Sequence, residues 1–280
     1  MERDATLREI MVSNLERAGV LHLPAVAAAM RAVPRHRFVP GMSLDSAYAD
    51  RAIAIKMSGS EIVSSISQPG MIALMLELLA PSRGHRVLEI GTGSGYNAAL
   101  LAELVGTGGS VTTIDLDDEL AGRARDALQG LGYRNVRVLA ADGGQDLVGA
   151  TQFDRLVVTA RSDDVAAAWW PALAEGGRLV LPLRLEGAGE YAVGFVRLRD
   201  GRLQSVGAHP CAFIALRGEA ALPSTSDVFY RDPAARSGPA CLRRVAEVVA
   251  VQRADATPEL LGEADLVIAR PASLFAVRFA

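Results

Sequence analysis

The chain has 280 residues, half of them hydrophobic, and a formal net charge of −3, enough material for one large α/β domain with its own core. Its 29 Lys and Arg and 32 Asp and Glu are scattered without basic runs, so the electrostatic footprint of a nucleic-acid binder is not expected. Two cysteines, Cys211 and Cys241, and four dispersed histidines lack metal-ligand spacing, which argues against a metal site.

The first residues, Met1-Glu2-Arg3-Asp4, are charged, and no later segment reaches membrane-spanning length without charges or breakers. A cytoplasmic, reduced protein with no membrane partner is expected. Residues 5–31 carry apolar positions at helical spacing, with Leu7, Ile10, Met11 and Leu15 on one stripe, broken by Gly19 and Pro24; this predicts two helices. The segment 32–40 is closed by prolines and reads as a connector, with His36 as a surface or capping residue. Residues 71–79 are apolar enough for a buried helix started by Pro69 and stopped at Pro81. Alternating units follow: strand 86–90, helix 97–105, strand 110–115, helix 118–131, then strands 136–140 and 153–158. Such alternation predicts a mostly parallel sheet covered on both faces, with a ligand at its carboxyl edge.

Trp169, Trp170 and Leu173 predict a short helix, with the tandem tryptophans as packing. Glu175-Gly176-Gly177 reads as a turn and residues 178–182 as another strand. Residues 191–198 and 203–207, separated by Asp200-Gly201, predict a hairpin that ends the sheet antiparallel. Beyond Gly218 the chain is rich in proline and serine through Pro239, then resumes with a helical stretch at 240–251 and a terminal strand at 274–279. The expected division is a domain over 1–218 and a C-terminal extension over 219–280.

The run Val87-Leu88-Glu89-Ile90-Gly91-Thr92-Gly93-Ser94-Gly95 is an apolar strand entering a glycine turn, and a second strand ends on Asp115. Read separately, these are an ordinary strand-to-helix turn and a surface aspartate. Together they describe a nucleotide pocket: the turn brings a ligand close to a helix start, and the acid accepts hydrogen bonds from ribose hydroxyls. A dinucleotide fingerprint needs glycine where Tyr96 stands, which argues against NAD. Glu89 would repel a pyrophosphate but suits a ligand with a cationic amino-acid end, which points to S-adenosylmethionine and methyl transfer.

Methyl transfer from a sulfonium is an in-line displacement, so the protein chiefly aligns the nucleophile. An ionised carboxylate needs no base, which fits the lack of a Cys-His or Ser-His-Asp arrangement near the turn. The run Ser64-Ser65-Ile66-Ser67-Gln68-Pro69 precedes the helix leading into the cofactor strand, and its hydroxyls and amides can orient a carboxylate. By itself the same run reads as a helix cap.

In that segment, in residues 71–79 and in the run from Arg86 to Tyr96, the chain resembles the protein-L-isoaspartate O-methyltransferases. Residues 32–40, Tyr48-Ala49-Asp50-Arg51, 132–136, Ala141-Asp142-Gly143, Phe153-Asp154, Val157-Val158-Thr159-Ala160 and 176–182 fit the same family in the same order, to about Arg217. The resemblance implies a Rossmann-like class I methyltransferase that esterifies a side-chain or isoaspartyl carboxylate in a polypeptide, after which the ester collapses to succinimide. It makes Ser67 the active-site serine that contacts the acceptor, with Ser65 and Gln68 lining the same loop. Glu89, Gly91, Thr92, Gly93, Ser94 and Gly95 are the cofactor turn, Asp115 the ribose acid, and Asp142 and Gly143 the pair beside the adenine.

Three departures bear on substrate choice: residues 56–64 replace a short glycine-containing approach, Gly70 stands where an aromatic or histidine is common, and the tail is extra. These departures, with Asn97, Trp169-Trp170-Pro171 and Pro182-Leu183-Arg184-Leu185, resemble a bacterial branch that methylates aspartate in ribosomally made peptides, giving aspartimide or isoaspartate. The leading expectation is that tailoring role, with isoaspartate repair as the alternative. Methylation of a small molecule or nucleic acid on the same fold, and a cofactor-binding module without catalysis, are the other readings.

Overall fold

The computed structural model describes residues 2–145, 152–185, 189–218, 221, 266–268 and 275–277. The helix expected at 240–251 lies outside the described residues. The chain divides into two compact units, Met1–Gly143 and Gly144–Ala280. Among the described residues, no helix is long and apolar enough to cross a membrane.

In the first unit, α1 (Glu2–Arg17) and α2 (Pro24–Ala32) are the two expected N-terminal helices. Pro24 stands in the first turn of α2, where a missing N–H is harmless. The open amides just before it, His22 N and Leu23 N, donate to Glu77 Oε1 at 3.0 and 2.7 Å. Met11, Val12 and Leu15 are buried, whereas Ile10, expected on the inward stripe, is 50 % exposed. With Val12 facing inward, the apolar stripe is rotated and Ile10 falls on the opposite side of the helical turn. The connector holds a 3-10 turn, Arg35–Phe38. His36 there is half-buried, its Nδ1 2.9 Å from the Tyr48 hydroxyl, so it is less exposed than expected.

Two features of this unit had no counterpart in the sequence reading. One is α3 (Leu44–Tyr48), capped by Ser43, whose Oγ accepts from Ser46 N at 3.2 Å. The other is an antiparallel hairpin, β1 (Ile53–Ser58) with β2 (Glu61–Ile66). β2 leads into α4 (Pro69–Leu79), which ends at Ala80 in the left-handed region, φ 44°, before Pro81.

Then come β3 (Arg86–Ile90), α5 (Tyr96–Val105), β4 (Ser110–Asp115), α6 (Asp118–Gly130) and β5 (Val136–Ala140), close to the expected bounds. β3 and β5 flank β4 in parallel, with Ile90 opposite Ile114 and Asp115 opposite Ala140. Val87, Leu88, Ile90, Val111 and Ile114 are buried there with Leu100 and Leu101 of α5, the pattern of parallel strands covered by helices. This register ends the three strands side by side, so the segments after Ile90, Asp115 and Ala140 share one edge.

The second unit holds β6 (Phe153–Val158), α7 (Trp169–Ala172), β7 (Leu173–Leu185), β8 (Gly189–Arg197), β9 (Leu203–Pro210), β10 (Leu266–Ile268) and β11 (Phe275–Val277). β6 and β7 pair in parallel, and pairing from β7 through β11 is antiparallel. The sheet is therefore mixed, with a longer antiparallel part than the expected hairpin supplies. Glu175-Gly176-Gly177, expected as a free turn, instead lies within β7: partners shift from Phe153↔Leu173 to Arg155↔Arg178, and Gly176 takes φ 71°, as in a bulge. Trp169 and Trp170 are both buried, in keeping with a packing role.

Candidate active site

The glycine turn is built at the carboxyl edge of β3. Gly91 N and Thr92 N donate to Ile114 O at 2.8 and 3.2 Å, and Gly95 N closes back on Thr92 O at 2.8 Å. Gly91, Gly93 and Gly95 adopt φ of 97°, 52° and 85°, a region costly for residues with a Cβ. Gly95 is the N-cap of α5, so the first-turn amides of that helix open at this edge. The Ser94 hydroxyl accepts from Tyr96 N at 3.3 Å.

Asp115 is fixed against this turn: Gly93 N donates to Oδ2 at 2.8 Å and Asp117 N to Oδ1 at 3.0 Å. An ionised carboxylate has about four lone-pair sites, so two amide bonds leave room for two ribose hydroxyls. On the other side, a Cβ built on Gly143 would lie 2.6 Å from Ile90 Cγ2. Only glycine lets the chain after β5 approach β3 this closely, which brings Asp142-Gly143 to the residue before the turn.

Glu89 lies beneath the turn with no exposed surface, as does Thr113. Thr113 Oγ1 donates to Glu89 Oε2 at 2.6 Å and Asn97 Nδ2 to Oε1 at 2.8 Å. Thr113 spends its one proton on the carboxylate, so the 2.7 Å contact between Thr92 Oγ1 and Thr113 Oγ1 runs with Thr92 as donor. Burial pushes the Glu89 carboxyl up to about 7, against the lowering effect of Thr113 and Asn97 and with a further push from Asp115. An acid so placed gains from a cation brought beside it.

The hairpin brings the serine run to the same edge. A Cβ built on Gly93 would lie 3.7 Å from Ser64 Oγ, 3.8 Å from Ile55 Cδ1 and 3.9 Å from Ser65 O. Lys56 Nζ latches the hairpin to the start of α6, reaching Asp117 at 2.7 and 2.8 Å and Glu119 at 2.8 Å. Ser65 pairs with Ala54 in the hairpin, and half-buried Ser67 follows its last residue. The Gln68 amide is engaged, with Nε2 donating to Asp50 Oδ2 at 3.0 Å. The first unit thus brings Ser64 and Ser65 to the turn, with Ser67 and Gln68 further along the same segment, and Glu89, Asp115, Asp142 and Gly143 around it.

Sequence reasoning passed over Thr113 and Arg35 and gave Asn97 no role in the site. Thr113 carries a weak signal, because Ser110 and Thr112 on the same strand are polar too and only its place two before the ribose acid sets it apart. Arg35 carries none, because nothing in a proline-bounded connector marks its arginine as fully buried.

A glycine turn opening a helix, a carboxylate ending the next parallel strand and a buried acid under the turn define a Rossmann-like class I methyltransferase. A family profile described as "Protein-L-isoaspartate(D-aspartate) O-methyltransferase (PCMT)" matches residues 6–221. A protein-L-isoaspartate O-methyltransferase of Methanopyrus kandleri is 40% identical over 213 residues, 76% of this chain and 92% of that protein. One from Gloeobacter violaceus is 44% identical over 173 residues, 62% of this chain and 80% of that protein. A solved structure bearing the same name is 30% identical with a TM-score of 0.69, covering 76% of this chain and 67% of that one. A Plasmodium falciparum structure in complex with S-adenosyl-L-homocysteine, 20% identical with a TM-score of 0.65 over 75% of this chain and 98% of that one, is alike in fold. The chain belongs to the protein-L-isoaspartate O-methyltransferase family, and is an S-adenosylmethionine-dependent protein or peptide carboxyl O-methyltransferase.

Proposed function

We propose that this protein methylates the free carboxylate of isoaspartyl residues in polypeptides and so starts their repair through succinimide. The observation that carries the reading is the approach of the Ser64-Ser65 end of the hairpin to Gly93, which supports a role for that segment in holding the acceptor next to the cofactor. The residues fit S-adenosylmethionine: Asp115 offers spare acceptor sites for a ribose, the buried Glu89 gains from a cationic amino end, and Asp142-Gly143 stands at the turn for the adenine. When bound, that group supplies a methyl carbon whose leaving group is a neutral thioether. The chain's part is to hold the carboxylate, through the Ser67 hydroxyl with Ser65 and Gln68 beside it, and to keep the cofactor turn rigid through Gly91, Thr92, Gly93, Ser94 and Gly95. The methyltransferase body is taken as residues 1–218 and the remainder, 219–280, as an extension.

Repair replaces peptide tailoring as the leading reading. The relatives from Methanopyrus kandleri and Gloeobacter violaceus, at 40% and 44% identity, bear the isoaspartate name. Two departures that carried the tailoring expectation have local explanations: residues 56–64 fall mostly within an antiparallel hairpin whose register shifts at Lys56, and Gly70 packs against Asp50. The third, the tail, lies largely outside the described residues. The test offers matched isoaspartyl and aspartyl peptides with methyl-labelled cofactor. Label should enter the isoaspartyl peptide as a base-labile ester; label only in the aspartyl peptide, or in neither, would overturn the proposal.

A further inference from the structure

Residues 67–70 run from the end of β2 into the first turn of α4. Gln68 O accepts from Ile72 N at 3.0 Å, and Pro69 has no N–H to give. The carbonyl of Ser67 and the amide of Gly70, one of the open first-turn donors of α4, are met by side chains from elsewhere. Arg35 Nη2 donates to Ser67 O at 2.8 Å while its Nε donates to Ala47 O at 2.9 Å. Its guanidinium carbon lies 5.0 Å from the centroid of the Tyr96 ring, on the first residue of α5. From the other end, Asp50 Oδ1 accepts from Gly70 N at 2.7 Å, and Oδ2 takes the Gln68 amide at 3.0 Å.

Gly70 belongs to this arrangement. A Cβ built on it would lie 3.2 and 3.3 Å from the two Asp50 carboxylate oxygens, tighter than ordinary contact, so the bare backbone lets the carboxylate close on the amide. The Arg35 fork spans two carbonyls from a fixed plane, which the single ammonium of lysine cannot do. Its cost is the burial of a charge, offset in part by two hydrogen bonds and an aromatic face, with Nη1 left without a hydrogen-bond partner.

We propose that Arg35 and Asp50 are positioning residues that clamp residues 67–70 from both ends, and so set the Ser67 hydroxyl relative to the glycine turn. The inference rests on the isoaspartyl methyl-transfer reading. A displacement of about 1 Å in a reacting constellation costs up to roughly a hundredfold in rate, so loosening either end should reduce transfer without emptying the cofactor site.

The test measures kcat and KM for an isoaspartyl peptide, together with the Kd of S-adenosylhomocysteine by calorimetry, for wild type, Asp50→Ala, Asp50→Asn and Arg35→Lys. Asp50 is exposed, so its variants should fold even where the Arg35 variant does not. Asp50→Ala should lower kcat/KM at least about tenfold while the Kd moves less than about threefold. Asp50→Asn, whose amide oxygen still accepts from Gly70 N, should recover most of that loss. Arg35→Lys should repeat the split seen with Asp50→Ala. Activity of Asp50→Ala within threefold of wild type, or a Kd that loosens in step with kcat/KM, would overturn the inference. An active wild type with unaffected variants removes this inference alone, whereas a wild type inert toward the peptide removes the functional reading and this inference with it.

Discussion

Cofactor affinity should fall as pH drops through neutrality, because Glu89 must be ionised to face a cationic ligand. Its carboxyl is buried and pushed up to about 7, so its ionised fraction falls from about three quarters at pH 7.5 to about one tenth at pH 6. If only the ionised form is competent, the apparent Kd of S-adenosylhomocysteine rises about eightfold over that interval. The α-amino group of the ligand, with an ordinary value of about 7.7–8.0, is still more than half protonated at pH 7.5 and trims the effect only to about five- to sixfold. Binding at pH 7 should also release about half a proton, read by calorimetry in two buffers of different ionisation enthalpy. The linkage to folding has the opposite sense. The folded pKa lies above the ordinary glutamate value of 4.5, so the group's favourable contribution is present below about pH 4.5 and lost as pH rises through about 7. Glu89→Gln removes the burial of a charge, and the unliganded variant should melt higher than wild type at pH 8, by up to roughly 3 kcal/mol, while binding cofactor weakly at every pH. Equal wild-type affinity at pH 6 and 7.5, or the same pH slope in Glu89→Gln, would refute this reasoning.

Ser67→Ala should leave cofactor Kd nearly unchanged and lower turnover sharply, whereas Asp115→Ala should weaken cofactor binding first; equal effects on Kd would show the serine segment to be misassigned. Gly143→Ala would set a Cβ 2.6 Å from Ile90 Cγ2, and should cost about 1–3 kcal/mol of stability together with cofactor affinity. Thermal melts with and without S-adenosylhomocysteine check both, and an unchanged melting temperature would contradict the close approach.

The strands that build the cofactor edge were legible because burial leaves its mark on sequence: β3, β4 and β5 matched their expected bounds, and the expectation that the glycine turn and Asp115 share one pocket agrees with the bond from Gly93 N to that acid. Pro69 and Pro81 likewise bracketed α4. The hairpin was hidden for the converse reason. Met57 and Ile62, which face each other across it, are each 50 % exposed, so no alternation of apolar and polar residues announces either strand. Ile10 misled because an apolar residue on a helix need not face inward. Arg35 was unreadable because its partners lie 12 and 32 residues away, and its character comes from burial that only tertiary packing supplies. Gly70 looked like the loss of a side chain, yet its neighbour is the Asp50 carboxylate that takes the vacated space. Motif order carried the family, while substrate choice depends on loops whose geometry residue types do not encode.

A crystal structure with S-adenosylhomocysteine and an isoaspartyl peptide would settle the matter most directly. The nucleoside should lie over the glycine turn, with its ribose on Asp115, its adenine beside Asp142-Gly143, its amino end toward Glu89, and the peptide carboxylate between the sulfur and the Ser67 hydroxyl. A cofactor bound away from that turn, or a carboxylate held by residues other than the serine segment, would contradict the arrangement from which methyl transfer has been derived.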